Sequence, residues 1–436
     1  MVKSAKPQSK TALSIIKIVL DQIHSHASPE QRHILNEVST QAQHLNIPVC
    51  LVGGGVRDAL MGRRMGDLDF VVEGNAIDFA QVLHQHFGDG LTTHPKFCTA
   101  TLIWRTLSID FTTARVEHYV RPAALPNISP ATLAQDLQRR DFSINAIAWR
   151  INDNTLHDPF EGQQDLRRGI IRALHAQSFV DDPTRALRAA RYAARFGFVV
   201  EPDTLAWLDA GLRYVRDLSG ERIKYDLEHI FTESQPDLAL GLLKEWGFFA
   251  ALAIAVPERD LLTQRTQHAR AQLLNNQWNL ETLGLSPADI LQLIGWGMLM
   301  YNQGQMSASR WVERIPFTNT TREALVSLGL LSSLSRNLFR AKNSQQSELL
   351  KSFSGAALFI GWLFDPDPVK RQAMRAEWHD WRWVRPASTG DDLRKMGIPP
   401  GPAYATLLTQ LRHAWLDHEI SSLEEEKLRL KRSREL

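Results

Sequence analysis

With 436 residues, 44% of them hydrophobic, and only two cysteines, the chain is long enough for roughly two to four packed units and too poor in cysteine for a disulfide framework. Fifty basic against forty-eight acidic residues leave a net charge of +2, which excludes a globally basic nucleic-acid binder and confines any RNA contact to local patches. Apolar runs such as 294–300 and 356–364 fall short of the roughly 20 residues of a membrane span, and the start MVKSAKPQSK is followed by neither an uninterrupted apolar run nor a cleavage site, so no signal peptide is expected.

In chain order, residues 1–12 read as disordered, and apolar residues at helical spacing predict helices over 12–23 and 30–45. Residues 49–151 alternate short β-rich runs with helices. Val49–Val52, Leu68–Val72, Thr99–Trp104 and 107–111 read as strands, and Ala76–Phe87 as a helix. From Leu166 onward the periodic segments read as helical, broken at Pro202, Gly220, Pro236, Pro257, Pro287, Pro316, 365–368 and 397–402. The expected class is α+β: a mixed-sheet head followed by an all-α remainder. Cys50 and Cys98 lie in strand-like contexts and read as packed thiols of a reducing compartment, the cytoplasm by default.

The chemistry concentrates in residues 51–74, LVGGGVRDALMGRRMGDLDFVVEG. Gly53 and Gly54 stand between a strand and a helical turn, where free backbone N–H groups favour an anion and the missing side chains let a phosphate approach. Asp67 and Asp69, two apart at a strand entry, are expected to point the same way and share a cation while Leu68 and Phe70 pack behind them. In TLSIDF (106–111), Asp110 alternates away from Leu107, Ile109 and Phe111 and supplies a third carboxylate. Three such carboxylates resemble a two-cation site, in which one ion activates an attacking hydroxyl and the other steadies a triphosphate; oxygen-only donors suit Mg²⁺ or Mn²⁺, not zinc. Acid pairs at strand starts often only cap turns, and it is the upstream glycines and the third acid that set this pair apart.

Further along, LQRRDFSINAIAW (137–149) places Arg139 and Arg140 ahead of an expected short helix on which Asp141 and Asn145 share a face. This fits a nucleotide clamp, with arginines on phosphates and Asp141 or Asn145 at ribose or metal, and it equally fits a capped helix with solvated arginines. In DDPTRALRAARYAARFGF (181–198), Arg188, Arg191 and Arg195 are expected on one helix face and Ala189, Ala190, Ala193 and Ala194 on the other, one face basic and one packed. The His379–Asp380 dipeptide lacks the further histidines of a metal phosphohydrolase. Its tryptophan neighbours Trp378, Trp381 and Trp383, with Trp362 and Trp415, read as core.

The glycine–DLD run, the isolated Asp110, RRDFSINA, DPFEGQQDLRRGIIR (158–172), DDPTRALRAARYAARFGF and GERIKYDLEHIF (220–231) together resemble the ordered motifs of class II tRNA nucleotidyltransferases, which share a superfamily with bacterial poly(A) polymerases. The match is dense over 49–231, and 389–408 resembles a segment of the family's tail. The resemblance implies N-terminal helices at 1–48, a polymerase-beta-like catalytic head at 49–165, and a helical neck, body and tail at 166–255, 256–365 and 366–436. It implies template-independent addition of CCA, or part of it, to the tRNA 3′ end from CTP and ATP with two Mg²⁺ ions, without a membrane or an obligate protein partner. CC-only addition, A-only addition, poly(A) synthesis and a noncatalytic RNA-binding homologue stay open.

By the same resemblance, Asp67, Asp69 and Asp110 are catalytic, with Asp67 and Asp69 on metal. The nucleotide falls to Gly53, Gly54, Arg57, Arg139, Arg140, Asp141, Asn145, Asp182, Arg185, Arg188 and Arg191, and RNA to Arg195, Arg222 and Lys224. Asp182 and Arg185 match the family's base-reading acid–acid–x–x–Arg element: a carboxylate accepts from the exocyclic amine of cytosine or adenine, and an arginine donates to the ring nitrogen. Guanine and uracil present the reverse pattern and leave both groups unpaired. The sequence departs from the family pattern at Asp181 and Asp226, where glutamate is usual, at Gly55, where a larger residue often stands, and at Cys98, where glycine is usual. The 116–133 stretch corresponds to the loop that such enzymes use to switch from C to A. It is not visibly shortened, which leans toward CCA or A addition.

Overall fold

The computed structural model describes Ile23 and residues 25–434 apart from Gly88. The tail at 1–12 and all but the last residue of the helix expected over 12–23 lie outside them. Two compact units form, one reaching to Leu218 and including Trp246–Ala251, the other comprising Ser219–Glu245 and the chain from Leu252 onward.

In the first unit, helix α1 (Pro29–His44) starts where a capping box forms: Ser28 Oγ accepts from the Gln31 N–H at 3.1 Å, and Gln31 Oε1 accepts from the Ser28 N–H at 2.8 Å. The strands are β1 (Val49–Val52), β2 (Leu68–Val72), β3 (Gly90–His94), β4 (Thr99–Trp104), β5 (Leu107–Thr113), β6 (Arg115–His118), β7 (Asn127–Pro130), β8 (Ala148–Arg150) and β9 (Thr155–His157). Seven of them build one sheet in the order β3-β4-β5-β2-β1-β8-β9, in which β2 and β5 run parallel and every other neighbouring pair antiparallel. It is the mixed sheet the sequence reading expects. Alternation along the strands gives the sheet two buried faces. Leu51, Leu68, Phe70, Val72, Ile109 and Phe111 pack with α1 residues such as Ile34 and Val38 and with Phe79 and Leu83 of the helix Ala76–Phe87. Cys50, Val52, Val71, Ala114 and Ala148 pack with Leu133 and Leu137 of the short helix Leu133–Gln138.

Several local expectations need correction. The expected loop at 116–133 is largely a hairpin, because β6 and β7 pair antiparallel and Val116 and Ile128 alternate with polar neighbours. Cys98 is not in a strand; it closes a 3₁₀ turn with φ of +50°, a left-handed conformation in which a side chain is strained. Residues 143–145 form a 3₁₀ turn rather than an α-helix. The segment after Leu166 is not wholly helical either, since Ile170–Ile171 and Val199–Val200 form a two-strand parallel pair.

The second unit is helical among its described residues. Prolines open the helices Pro287–Met300, Pro368–His379 and Pro402–Leu416, at positions whose N–H has no helical partner. Gly220 opens Gly220–Phe231 against backbone, where an added Cβ would lie 2.1 Å from the Arg314 carbonyl oxygen. Trp278, Trp296, Trp311 and Trp362 are buried, whereas Trp383 is 64% exposed and departs from the core reading. No helix among the described residues is long and apolar enough to cross a membrane.

Candidate active site

The parallel register of β2 and β5 sets Asp69 directly opposite Asp110, one strand spacing away. On the far side of β5, Thr101 pairs with Asp110, and its hydroxyl donates to Asp110 Oδ1 at 2.6 Å. Asp67 is exposed and stands one residue before β2, so it reaches the site from the incoming loop, not from the same strand as expected. Gly55 lets that loop close in, because a Cβ there would meet the Asp67 carbonyl oxygen at 3.2 Å.

Burial pushes the Asp69 carboxyl up to about 6; Asp110 and Asp67 add to the rise while Arg140 and Arg188 oppose it. A half-buried carboxylate crowded by two others is a site that a hard cation would relieve, and its all-oxygen donor set fits Mg²⁺ or Mn²⁺. Among the described residues no three His, Cys, Asp or Glu side chains close on a common point. Mg²⁺ takes one or two carboxylates and completes its shell with water and substrate phosphate.

Gly53 adopts φ of +67° between β1 and the helical turn Gly54–Leu60, and a Cβ there would lie 3.1 Å from an Arg140 guanidinium nitrogen. Gly53 is buried and Gly54 half-buried, and each lies beside a guanidinium, Arg140 at Gly53 and Arg57 at Gly54. Arg140 pairs with buried Asp136 at 3.1 Å, while Arg139 is held by Asp136 at 2.7 Å and Glu117 at 2.8 Å. Arg57 is buried, donates to Asp58 at 2.8 Å and to Asn145 Oδ1 at 2.7 Å, and lies over the rings of Tyr192 and Phe196 at 5.1 and 4.9 Å.

Asp141 and Asn145 turn toward each other: Asn145 Nδ2 donates to Asp141 Oδ1 at 2.9 Å, and Arg188 donates to Asp141 Oδ2 at 2.7 Å through Nε. Burial opposes ionisation at Asp141, but the charge of Arg188 and the bonds from Asn145 and Arg188 outweigh it and hold the carboxyl down at about 2. The chain Arg57–Asn145–Asp141–Arg188 thus ties the glycine turn to the helix Arg185–Phe196. That helix corrects the expected basic face, since Arg185 and Arg191 are buried, Arg188 is half-buried and only Arg195 is exposed among these four.

Arg185 donates to Ser178 Oγ at 2.5 Å and to the Arg139 carbonyl at 2.7 Å, and Asp182 Oδ1 accepts from Thr184 Oγ1 at 2.6 Å. The Tyr119 phenol, which donates to Glu117 at 2.9 Å, is held above its ordinary range by burial, then by Glu117, with Arg185 opposing and Asp182 adding. The hairpin thereby shares its electrostatic surroundings with the Asp182–Arg185 pair. Arg222 and Lys224 belong to the second unit, in the helix Gly220–Phe231, where Lys224 pairs with Glu228 at 3.5 Å.

The segment DPFEGQQDLRRGIIR (158–172) supplies supporting residues that its motif alone does not single out. Asp158 accepts from the Gly162 and Gln163 N–H groups at 2.7 and 2.9 Å, and a Cβ on Gly162 would collide with the Ser143 carbonyl at 2.2 Å. Asp165 accepts from Ser143 Oγ at 2.6 Å and pairs with Arg172 at 3.0 Å, clamping the turn that carries Asn145. The glycine between an acid and an amphipathic run was the available signal. Asp136, three residues before Arg139 and four before Arg140, has the helical spacing that marks an ion-pair partner, whereas no pattern in the sequence marks Glu117.

A family model described as the poly(A) polymerase head domain matches residues 49–172. An A-adding tRNA nucleotidyltransferase of Halalkalibacterium halodurans is 30% identical over 400 residues, which cover 89% of this chain and 90% of that protein. A CC-adding tRNA nucleotidyltransferase of Deinococcus radiodurans is 37% identical over 234 residues, 52% of this chain and 61% of that protein. Among solved structures, a Thermotoga maritima CCA-adding enzyme complexed with tRNA superposes with a TM-score of 0.74 at 26% identity, over 95% of this chain and 98% of that one.

Proposed function

The chain belongs to the tRNA nucleotidyltransferases, and from that premise we propose that it extends the tRNA 3′ end, with transfer of AMP from ATP onto a CC end as its principal step. The observation that carries the reaction class is the Asp69–Asp110 register pair with Asp67 on the adjoining loop. The near end-to-end match to an A-adding relative supports the choice of nucleotide, since the CC-adding match spans only about half the chain. Complete CCA addition from CTP and ATP is the second reading, favoured by the likeness to a CCA-adding enzyme over 95% of the chain.

In this reading Asp67 and Asp69 hold Mg²⁺, which when bound supplies Lewis-acid activation of the hydroxyl and neutralises the triphosphate. The terminal ribose hydroxyl attacks the α-phosphorus, a new O–P bond forms, and the α–β bond breaks to release pyrophosphate. Asp110, with one oxygen fixed by Thr101, keeps the other for the hydroxyl proton. The glycine turn, half-buried at Gly54 and bordered by Arg140 and Arg57, receives the phosphates. Arg185 is preorganised by Ser178 and the Arg139 carbonyl, and with Asp182 it meets the amine and ring nitrogen of adenine. Arg57, Asn145, Asp141 and Arg188 hold that helix against the glycine turn. The two free cysteines, Cys50 and Cys98, accord with a cytoplasmic setting.

Asp67→Ala and Asp69→Ala are each expected to abolish Mg²⁺-dependent nucleotide incorporation, and unchanged incorporation would remove the metal assignment. Arg185→Ala is expected to admit UTP or GTP; undiminished selectivity would remove the base-reading role.

A further inference from the structure

The arginines around the glycine turn are mostly committed. Arg57 is bound to Asp58 and Asn145, Arg139 and Arg140 to Asp136, Arg185 to Ser178 and a carbonyl, and Arg188 to Asp141, while Arg191 is buried. A triphosphate bears more negative charge than one or two carboxylate-held cations cancel, so an uncommitted cation at its edge is expected. Arg63 fits that need. It is exposed, it lies four residues before Asp67, and its guanidinium makes no hydrogen bond or ion pair among the described residues.

The guanidinium is nevertheless held in place. Its carbon sits 4.9 Å from the centre of the Phe196 ring, on the helix that carries Arg185 and Arg188. Stacking uses the flat face of a guanidinium and leaves the N–H groups of its edge free to donate. The loop beneath is pinned on both sides: the Arg63 N–H donates to the Asp58 carbonyl at 2.9 Å, the Met65 N–H to the His26 carbonyl at 3.1 Å, and Gln31 Nε2 to the Gly66 carbonyl at 2.7 Å. A stacked arginine with free donors on a fixed loop that runs straight into Asp67 has the form of a phosphate receptor.

We propose that Arg63 binds the polyphosphate tail of the incoming nucleoside triphosphate, with Phe196 holding its guanidinium edge-on to the phosphates. This rests on the nucleotidyltransferase reading of the site. Charge-assisted hydrogen bonds of this kind carry about a tenfold effect on affinity.

The test pairs steady-state kinetics with a titration that needs no catalysis. For Arg63→Ala, KM for ATP is expected to rise about tenfold while kcat stays within about twofold and KM for tRNA is unmoved. Arg63→Lys, which keeps the charge but loses the flat stack, is expected to fall between. The thermal midpoint of both variants should match the parent, because Arg63 is exposed. Calorimetric titration with inorganic tripolyphosphate and Mg²⁺ should show the same loss of affinity. Unchanged ATP KM and tripolyphosphate affinity in Arg63→Ala would overturn the proposal, and so would a rise in KM for tRNA alone, which would assign Arg63 to the RNA phosphodiester. If the parent protein incorporates no nucleotide at all, the functional reading fails, while the tripolyphosphate titration still decides on Arg63.

Discussion

Replacing Asp69 by asparagine should abolish nucleotide transfer and at the same time stabilise the metal-free fold. Burial, reinforced by Asp110 and Asp67, lifts the folded-state value from 3.8 to about 6. A rise of that size sets an upper bound of about 3 kcal/mol, and partial access to solvent lowers the expected gain to about 1–2 kcal/mol. The folded protein takes up the proton more readily than the unfolded chain. The stabilisation conferred by that proton is therefore complete below pH 3.8, is lost as pH rises through about 6, and is absent at pH 8. Asparagine carries no such dependence, so the variant should gain on the parent as pH rises from 4 to 8. Urea denaturation in EDTA at both ends of that range, monitored by tryptophan fluorescence, reads the difference. Added Mg²⁺ should raise the parent midpoint and leave Asp69→Asn unmoved. A variant no more stable than the parent at pH 8, or equally more stable at pH 4, would refute the reasoning.

Asp141 carries the opposite sign. Its value of about 2 means that the ionised form stabilises the fold above pH 3.8 and that this contribution is lost as pH falls through about 2. Asp141→Asn should therefore cost about 2 kcal/mol at pH 7, read as a lower urea midpoint, with the gap to the parent narrowing in acid. Cys98→Gly should add about 0.5–1 kcal/mol, as relief of the left-handed strain exceeds the added chain entropy; a lower melting temperature would contradict the backbone reading. Gly162→Ala should destabilise by about 2–3 kcal/mol or prevent folding, because the new methyl must displace the Ser143 carbonyl; near-parent stability by calorimetry would show that the turn can yield.

What the sequence revealed followed from periodicity and from glycine. Val49–Val52, Leu68–Val72, Thr99–Trp104 and Ala76–Phe87 carry strong apolar patterns, and the structure places them within those bounds. Gly90–His94 and the 115–130 hairpin escaped because threonine, histidine, arginine and proline mask the alternation there, and only pairing to a neighbour makes them strands. The carboxylates could be named from sequence, but the parallel register that sets Asp69 opposite Asp110 is a tertiary fact. The arginines misled most. Guanidinium groups spaced along a helix look like a solvent-facing stripe, whereas Arg185 is drawn inward by Ser178 and a carbonyl, and Arg188 by Asp141 from a distant motif. The glycine usual in the family at position 98 has a physical reason that spacing alone does not give, a positive φ.

The most direct test supplies the purified protein with Mg²⁺ and CTP, ATP or both, on tRNAs ending before CCA, after C and after CC, with products resolved to one nucleotide. Extension of the CC-ended tRNA by a single AMP, with no growth of the shorter ends, is the predicted result. Three-nucleotide growth of the bare end would establish the second reading, full CCA addition. Growth of the bare end by two cytidines alone, a long ATP-dependent ladder, or no extension by folded protein that binds tRNA would contradict the account.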